Sequence, residues 1–245
     1  MPKHPPAKSL KSIAFESIIR NIDNVWTSKY VKDWGDKHLL YVEGPFDCLT
    51  PGDCHSILTE LAARKILKRH HIYLLVNPYF QALNLSEFRD GKKDGSKLKL
   101  ILDLALTRCQ NLKKMVIKSS QDFAATLMPY LELFNNITDL ELPNTRLNNF
   151  DVSLIGIHAP NLRLLNLMDT GFGDNGLKSL FLPLDHEGNQ DSAYGQCQKI
   201  EILDVRGTEI SPDTAAQIYS RDACHCFYST TRFELSGLVL LGFHF

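Results

Sequence analysis

ITDLELPNTRL (residues 137–147), LRLLNLMDTGF (162–172) and IEILDVRGTEI (200–210) are one phrase written three times. Ile137, Leu140, Leu142, Thr145 and Leu147 are answered by Leu162, Leu165, Leu167, Thr170 and Phe172, and again by Ile200, Leu203, Val205, Thr208 and Ile210. Two weaker copies come earlier: FQALNLSEF, with Phe80, Leu83, Leu85 and Phe88, and LKKMVIKSS, with Leu112, Met115, Ile117 and Ser120. Leu112, Ile137 and Leu162 follow one another at intervals of 25 residues, whereas Ile200 follows Leu162 by 38. The extra length falls in PLDHEGNQDSAYG, within 182–195, which is polar and without periodicity and reads as an inserted loop.

A phrase repeated at this period is one structural unit that cannot bury its apolar side alone, so the units must stack. The apolar positions then form a continuous core, and the residues between them line up on a short parallel ladder. Between the paired apolar positions stand Val116, Glu141, Asn166 and Asp204; just after them stand Lys118, Pro143, Met168 and Arg206. The expectation is an α/β fold: a short right-handed solenoid with parallel strands on the concave face and helices outside. Its concave face would carry an acidic centre and basic flanks. The chain divides into an N-terminal helical module (1–78), about five repeats (79–220) and a C-terminal cap or tail (221–245).

The repeats match the leucine-rich-repeat pattern. A Cys closing the preceding helix (Cys109, Cys197) and a final Thr or Ser resemble the cysteine-containing class of F-box and Amn-type proteins. That resemblance implies a protein-binding surface, with Val116, Lys118, Glu141, Asn166, Met168, Asp204 and Arg206 facing a protein target.

The composition is that of an ordinary globular protein, 44% hydrophobic and 22% charged, with 27 basic against 28 acidic residues. Neutral bulk charge speaks against a nucleic-acid protein. No apolar run reaches the roughly 18 residues a membrane span needs, and LSGLVLLGFHF at the end is too short. Six cysteines without a secretory signal read as reduced thiols in a cytoplasmic or nuclear protein. No phosphate-binding glycine loop, nucleophile elbow or HExxH is present. No catalytic residue, cofactor or metal site is expected. Cys224-His225-Cys226 lacks the loop that lets two cysteines face one ion, and Cys48 with Cys54 is no better supported.

Ser9 to Trp26 places Leu10, Ile13, Ala14, Ile18, Ile22 and Val25 at helical steps behind Ser9 as N-cap, predicting one amphipathic helix. Thr50 and Pro51, with Asp53 three residues after the cap, open a second helix. Its buried face would be Ile57, Leu58, Leu61, Ala62, Ile66 and Leu67. Arg64, Lys65, Lys68 and Arg69 would form its last turn, and His70 and His71, being adjacent, would point apart. The first helix either caps the repeats or docks a partner. The sequence Ser9, Leu10, Ala14, Ile18 resembles the elongin C-binding BC box, with Ala14 where that box has Cys. In Zyg-type and Zer-type receptors of cullin ligases such a box precedes leucine-rich repeats. The resemblance implies Leu10, Ala14 and Ile18 as elongin C contacts and Pro51 as part of a cullin-contacting segment. The protein would then be a non-enzymatic substrate receptor of a cullin-RING ubiquitin ligase, a monomer within its complex. The alternative is an interaction scaffold with no ligase role, whose N-terminal helices only cap the solenoid.

Overall fold

The computed structural model describes residues 9–38, 44–86, 96–118, 124–181, 197, 199–219 and 226–228. The chain forms two compact units, Met1–Phe80 and Gln81–Phe245.

The N-terminal unit is helical. Helix α1 (Leu10–Asn21) starts where Ser9 Oγ accepts the Ser12 N–H at 3.2 Å. The expected single helix to Trp26 is not continuous: α1 passes into a π-helical turn, Ile22–Trp26. Thr27 closes that turn by donating both its N–H and its hydroxyl to the Ile22 carbonyl, each at 2.9 Å. Helix α2 follows (Ser28–His38). Helix α3 (Pro51–Ala63) begins as read, with Thr50 Oγ1 accepting the Asp53 N–H at 3.2 Å and Pro51 in the first turn, where its missing N–H costs nothing.

The end of α3 differs from expectation. Lys65 adopts φ 60°, and the N–H groups of Lys65 and Ile66 return to the carbonyls of Ala62 and Leu61 at 2.9 and 3.0 Å. That is a Schellman stop without glycine. The basic run is therefore no last turn, and Ile66 is largely exposed rather than buried. Lys68 instead precedes a short helix α4 (Arg69–Leu75), in which His71, Ile72, Tyr73, Leu74 and Leu75 are all buried. A helix buried all round has no periodicity to reveal it.

In the second unit, six three-residue strands form one parallel sheet in chain order: β1 (Ala82–Asn84), β2 (Lys114–Val116), β3 (Asp139–Glu141), β4 (Leu164–Asn166), β5 (Ile202–Asp204) and β6 (Cys226–Tyr228). Helices α5 (Ser96–Arg108), α6 (Ala124–Leu131), α7 (Asn149–His158), α8 (Asp174–Phe181) and α9 (Pro212–Tyr219) return the chain between strands. Leu83, Met115, Leu140, Leu165 and Leu203 are aligned neighbours at the strand centres and at most 1% exposed. Burying each such side chain is worth roughly 1.5–3 kcal/mol, and the rung-to-rung register makes that gain repeat. β6 adds a rung inside the stretch read as a cap or tail, whereas the candidate strand Phe233–Leu241 lies outside the described residues, as does the 182–195 insertion.

The turn after each strand explains the Thr of the phrase. Thr145, Thr170 and Thr208 donate their hydroxyls to the carbonyls of Leu142, Leu167 and Val205 at 2.6, 2.7 and 2.6 Å. The residue just before each Thr has positive φ: Asn144 at 57°, Asp169 at 54° and Gly207 at 70°. Asn, Asp and Gly are the residues that enter this region most readily. Helix starts also link one repeat to the next. Asn149 Oδ1 accepts the N–H groups of Gly173 and Gly176 at the head of α8, and Asp174 accepts from the N–H and hydroxyl of Ser211 ahead of α9. Hydrogen bonds with Ser211 and Thr214 hold the Asp174 carboxyl low despite its desolvation.

Candidate functional site

Two surfaces carry the residues that the sequence singles out. Over α1 and the turn after it two apolar series are interleaved: Leu10, Ala14, Ile18 on one side and Phe15, Ile19, Ile22 on the other. The second series is the more buried, with Phe15 half-buried and its two later members in the core. Ile19 and Ile22 are 5% and 2% exposed, whereas Leu10 is 83% exposed and Ile13 51%. Ala14 is exposed and Ile18 half-buried. Of the stripe expected from the spacing, Ile22 is buried and Ile18 half-buried, while Leu10, Ile13 and Ala14 face solvent, about one residue or close to 100° round the helix from Ile19. Val25, placed on the same stripe, is exposed as well.

Polar contacts accompany this packing of α1. Lys11 Nζ lies 2.7 Å from Asp53 at the start of α3 and 5.4 Å from the centroid of the Phe15 ring. The ammonium and the Thr50 hydrogen bonds hold the Asp53 carboxyl below its usual range. Pro51, half-buried, therefore sits two residues from a group tied to α1. Between α1 and α3 runs an open cleft of about 440 Å³, floored by Phe15 and Ile19 and edged by Ser9, Ser12, Ser56 and Arg64.

At the other end of α1, Asp23 on the π-helical turn meets three donors. Lys68 Nζ is 2.6 Å from its Oδ2, and the Nε2 atoms of His70 and His71 are 3.1 and 2.9 Å from its Oδ1. The adjacent histidines do not point apart. Their rings lie 4.4 Å apart and nearly perpendicular, because His71 folds back to take the Lys68 N–H on Nδ1 at 3.1 Å. Burial works to raise the Asp23 pKa, but the hydrogen bonds from Lys68, His70 and His71 outweigh it and hold the group well below the carboxylate range. Burial pushes the His71 pKa down to about 4 against the pull of Asp23.

Asp23, His70 and His71 bring three ligand atoms within 4.8 Å of one another. The tautomer speaks against a metal. Nδ1 of His71 accepts a backbone N–H, so the neutral ring carries its proton on Nε2, the atom that would have to ligate. Metal-bound histidines have the opposite arrangement, donating from the second nitrogen to an acceptor. The cluster is a hydrogen-bonded joint between the π-helical turn and α4.

The second surface is the open side of the sheet. Val116, Glu141, Asn166 and Asp204 stand in register on successive strands, as their spacing predicts. Their roles differ. Asn84, Asn166 and Asp204 each accept the N–H two residues ahead, at 2.9, 3.0 and 3.2 Å, and so finish their own strands. Glu141 has no such duty, since Pro143 ahead of it has no N–H; it pairs with Lys114 at 2.5 Å. Asp204 also holds Arg206 through Nε and Nη2 at 2.9 and 2.6 Å and is buried, while Pro143 is buried, Met168 half-buried and Lys118 exposed. The acidic centre expected of this face is internally neutralised.

Three of the described cysteines, Cys54, Cys109 and Cys197, are buried in the structure. Cys109 and Cys197 are buried, and burial pushes both thiols up to about 12; Cys197 Sγ donates to the Ala159 carbonyl. Cys54 is pushed up to about 11, mainly by burial, and donates to the Phe46 carbonyl. Cys48 is exposed. Cys224 and His225 lie outside the described residues.

A family model described as "Leucine Rich repeat" matches residues 158–181, which run from the end of α7 through β4 to the end of α8. The second unit is a leucine-rich-repeat solenoid. No curated protein matches the sequence. Among solved structures, the protein is similar to a chain in the crystal structure of the Rad7 and Elc1 complex in yeast. The TM-score is 0.55 at 16% identity, over 92% of this chain and 54% of that one. The chain thus spans about half the length of this neighbour, and the likeness is one of fold.

Proposed function

We propose that this protein is a substrate-recognition subunit of a cullin-RING ubiquitin ligase, with α1 docking an elongin C-type adaptor and the sheet holding a protein target. The observation that carries the reading is the solvent-facing stripe of α1: Leu10 at 83% and Ile13 at 51% exposure, on a capped helix whose other side is already buried. A lone exposed leucine means nothing, but Leu10, Ala14 and Ile18 recur at the steps by which a helix lays one face into a groove. Leu10 is the anchor, Ala14 the close-contact position and Ile18 the trailing contact. The Lys11–Asp53 pair fixes α1 against the segment bearing Pro51, which presents that segment beside the adaptor helix for a cullin. A neighbour of like fold solved with a protein partner is consistent with this use of the architecture. No part of the reading requires a catalytic group.

The test is a pull-down of purified elongin C by the full chain and by Leu10→Asp. Capture by the wild type and loss with the variant, at unchanged circular dichroism, is the expected result. If wild-type protein captures no elongin C, the ligase reading falls and the chain is an interaction scaffold.

A further inference from the structure

Resting on the target-binding role just given to the sheet, the chemistry of the target follows from where its charges already go. Six ionisable side chains stand on or within two residues of strands β3 to β5, two cations and four carboxylates, and a third cation, Lys114, reaches them from β2; Lys113 and Lys118, both exposed, flank β2 itself, two strands from β4. Lys114 pairs with Glu141 at 2.5 Å, Arg163 holds both oxygens of Glu201 at 2.8 Å, and Arg206 holds both oxygens of Asp204 at 2.9 and 2.6 Å. Asp139, the fourth carboxylate, accepts the Thr138 hydroxyl at 2.6 Å and lies near enough to Arg163 to favour its charge. A guanidinium bound bidentately to a carboxylate has its strongest directions filled, so a charged ligand would have to break a pair to make one.

What these pairs leave open is apolar. Leu164 and Ile202 are registered neighbours on β4 and β5, both half-buried, with Met168 just beyond β4. Arg163–Glu201 lies at one end of the two side chains and Asp204–Arg206 at the other, a polar rim around an apolar centre. Asn166 commits its carbonyl oxygen to the Met168 N–H and keeps its NH₂ as a donor. Adjacent strands are about 4.8 Å apart, so the patch is one inserted side chain wide.

We propose that the open face of β4 and β5 binds an extended, uncharged peptide segment of a protein partner, one aliphatic or aromatic side chain seated on Leu164 and Ile202. The Asn166 amide donates to a carbonyl of that segment.

The probe is a displayed library of random peptides selected on the full chain, with recovered peptides remade and titrated by fluorescence polarisation. Recovered peptides should share an apolar residue in an uncharged setting and bind with little dependence on salt. They should bind about tenfold or more weakly to Leu164→Asp and to Ile202→Asp, and unchanged to Lys114→Gln, which opens an ion pair away from the patch. Peptides rich in charge whose affinity falls with salt overturn the proposal, as does binding indifferent to both aspartate variants or a library that yields no binder. Should either aspartate variant unfold, the salt dependence and the composition of the recovered peptides decide alone. The elongin C pull-down reads a different surface: its failure with peptide binding intact removes the ligase reading only, and the reverse removes only this inference.

Discussion

Acid should loosen the N-terminal unit well before it protonates ordinary carboxylates, and His71 is the reason. Its side chain is fully buried, flanked by Asp23, Lys68 and His70, and burial lowers its pKa from 6.5 to about 4. The folded-state value is the depressed one. Between about pH 6.5 and pH 4 the unfolded chain therefore binds more protons than the folded one, so stability is complete above this window and is lost as pH falls through it. Linkage over the interval from about pH 7 to pH 5 gives a loss of about 2 kcal/mol from this one group. His55 is shifted in the same direction by burial and adds to the slope; Asp23, held low, adds its own loss only as pH falls through and below the usual carboxylate range. The assay is urea unfolding followed by tryptophan fluorescence, which reports on this unit because both tryptophans of the chain, Trp26 and Trp34, lie in it. His71→Gln keeps one donor for Asp23 and one acceptor for the Lys68 N–H but does not titrate. It should lower stability at neutral pH and remove most of the slope between pH 7 and pH 5. A wild-type midpoint that stays flat over that range, or a slope that survives in His71→Gln, refutes the reasoning.

Leu10→Asp should leave the unfolding free energy within about 0.5 kcal/mol of wild type, since Leu10 touches little of its own unit, while abolishing elongin C capture. Thr170→Val should cost about 1–2 kcal/mol by calorimetry, because it strips the buried Leu167 carbonyl of its hydroxyl donor; Thr107→Val, at an exposed hydroxyl, should cost almost nothing. Gly207→Ala should cost about 1 kcal/mol from the left-handed φ of 70°; the new Cβ would stand 2.1 Å from Oδ1 of Asp169, the end of an exposed side chain that can rotate away, so Asp169→Asn beside it should leave the cost nearly unchanged. Alkylation mapped by mass spectrometry should find Cys48 modified in the native state, with Cys54, Cys109 and Cys197 modified only after unfolding.

The repeats were legible because each contributes the same buried rung, so Leu140, Leu165 and Leu203 announce one another. The N-terminal unit has no such redundancy. Over α1 and the turn after it the sequence offers Leu10-Ala14-Ile18 and Phe15-Ile19-Ile22, both at helical steps of three and four, and nothing local decides which series the core takes. The stop after Ala63 was hidden because the left-handed position is held by Lys65, where glycine would have signalled it. α4 was hidden by its own burial. The meeting of His70 and His71 depends on a backbone N–H from Lys68 and a carboxylate 45 and more residues upstream, which no spacing rule contains. One signal was present and overlooked: Asn144, Asp169 and Gly207 each stand before the Thr of the phrase, and those three residue types in register mark a left-handed turn.

The two outward positions of each strand carry unequal freedom to specify a target. The third position is tied to folding wherever it is Asn or Asp, because its side chain accepts the N–H two residues on; changing Asn166 or Asp204 alters the strand end as well as the surface. The first position has no such role. Lys114, Asp139, Leu164 and Ile202 each present a side chain beside a strand centre that is already buried, and the four differ in charge and polarity along one row. The row favoured by sequence is therefore frame at Asn166 and Asp204, and under the proposed peptide reading the row two residues earlier, through Leu164 and Ile202 on β4 and β5, carries the recognition chemistry. Exchange of Ile202 for Lys should consequently redirect peptide selection toward acidic segments without a loss of stability comparable to that of Asp204→Ala, which removes the carboxylate bound by two nitrogens of Arg206 and the acceptor of the Arg206 N–H.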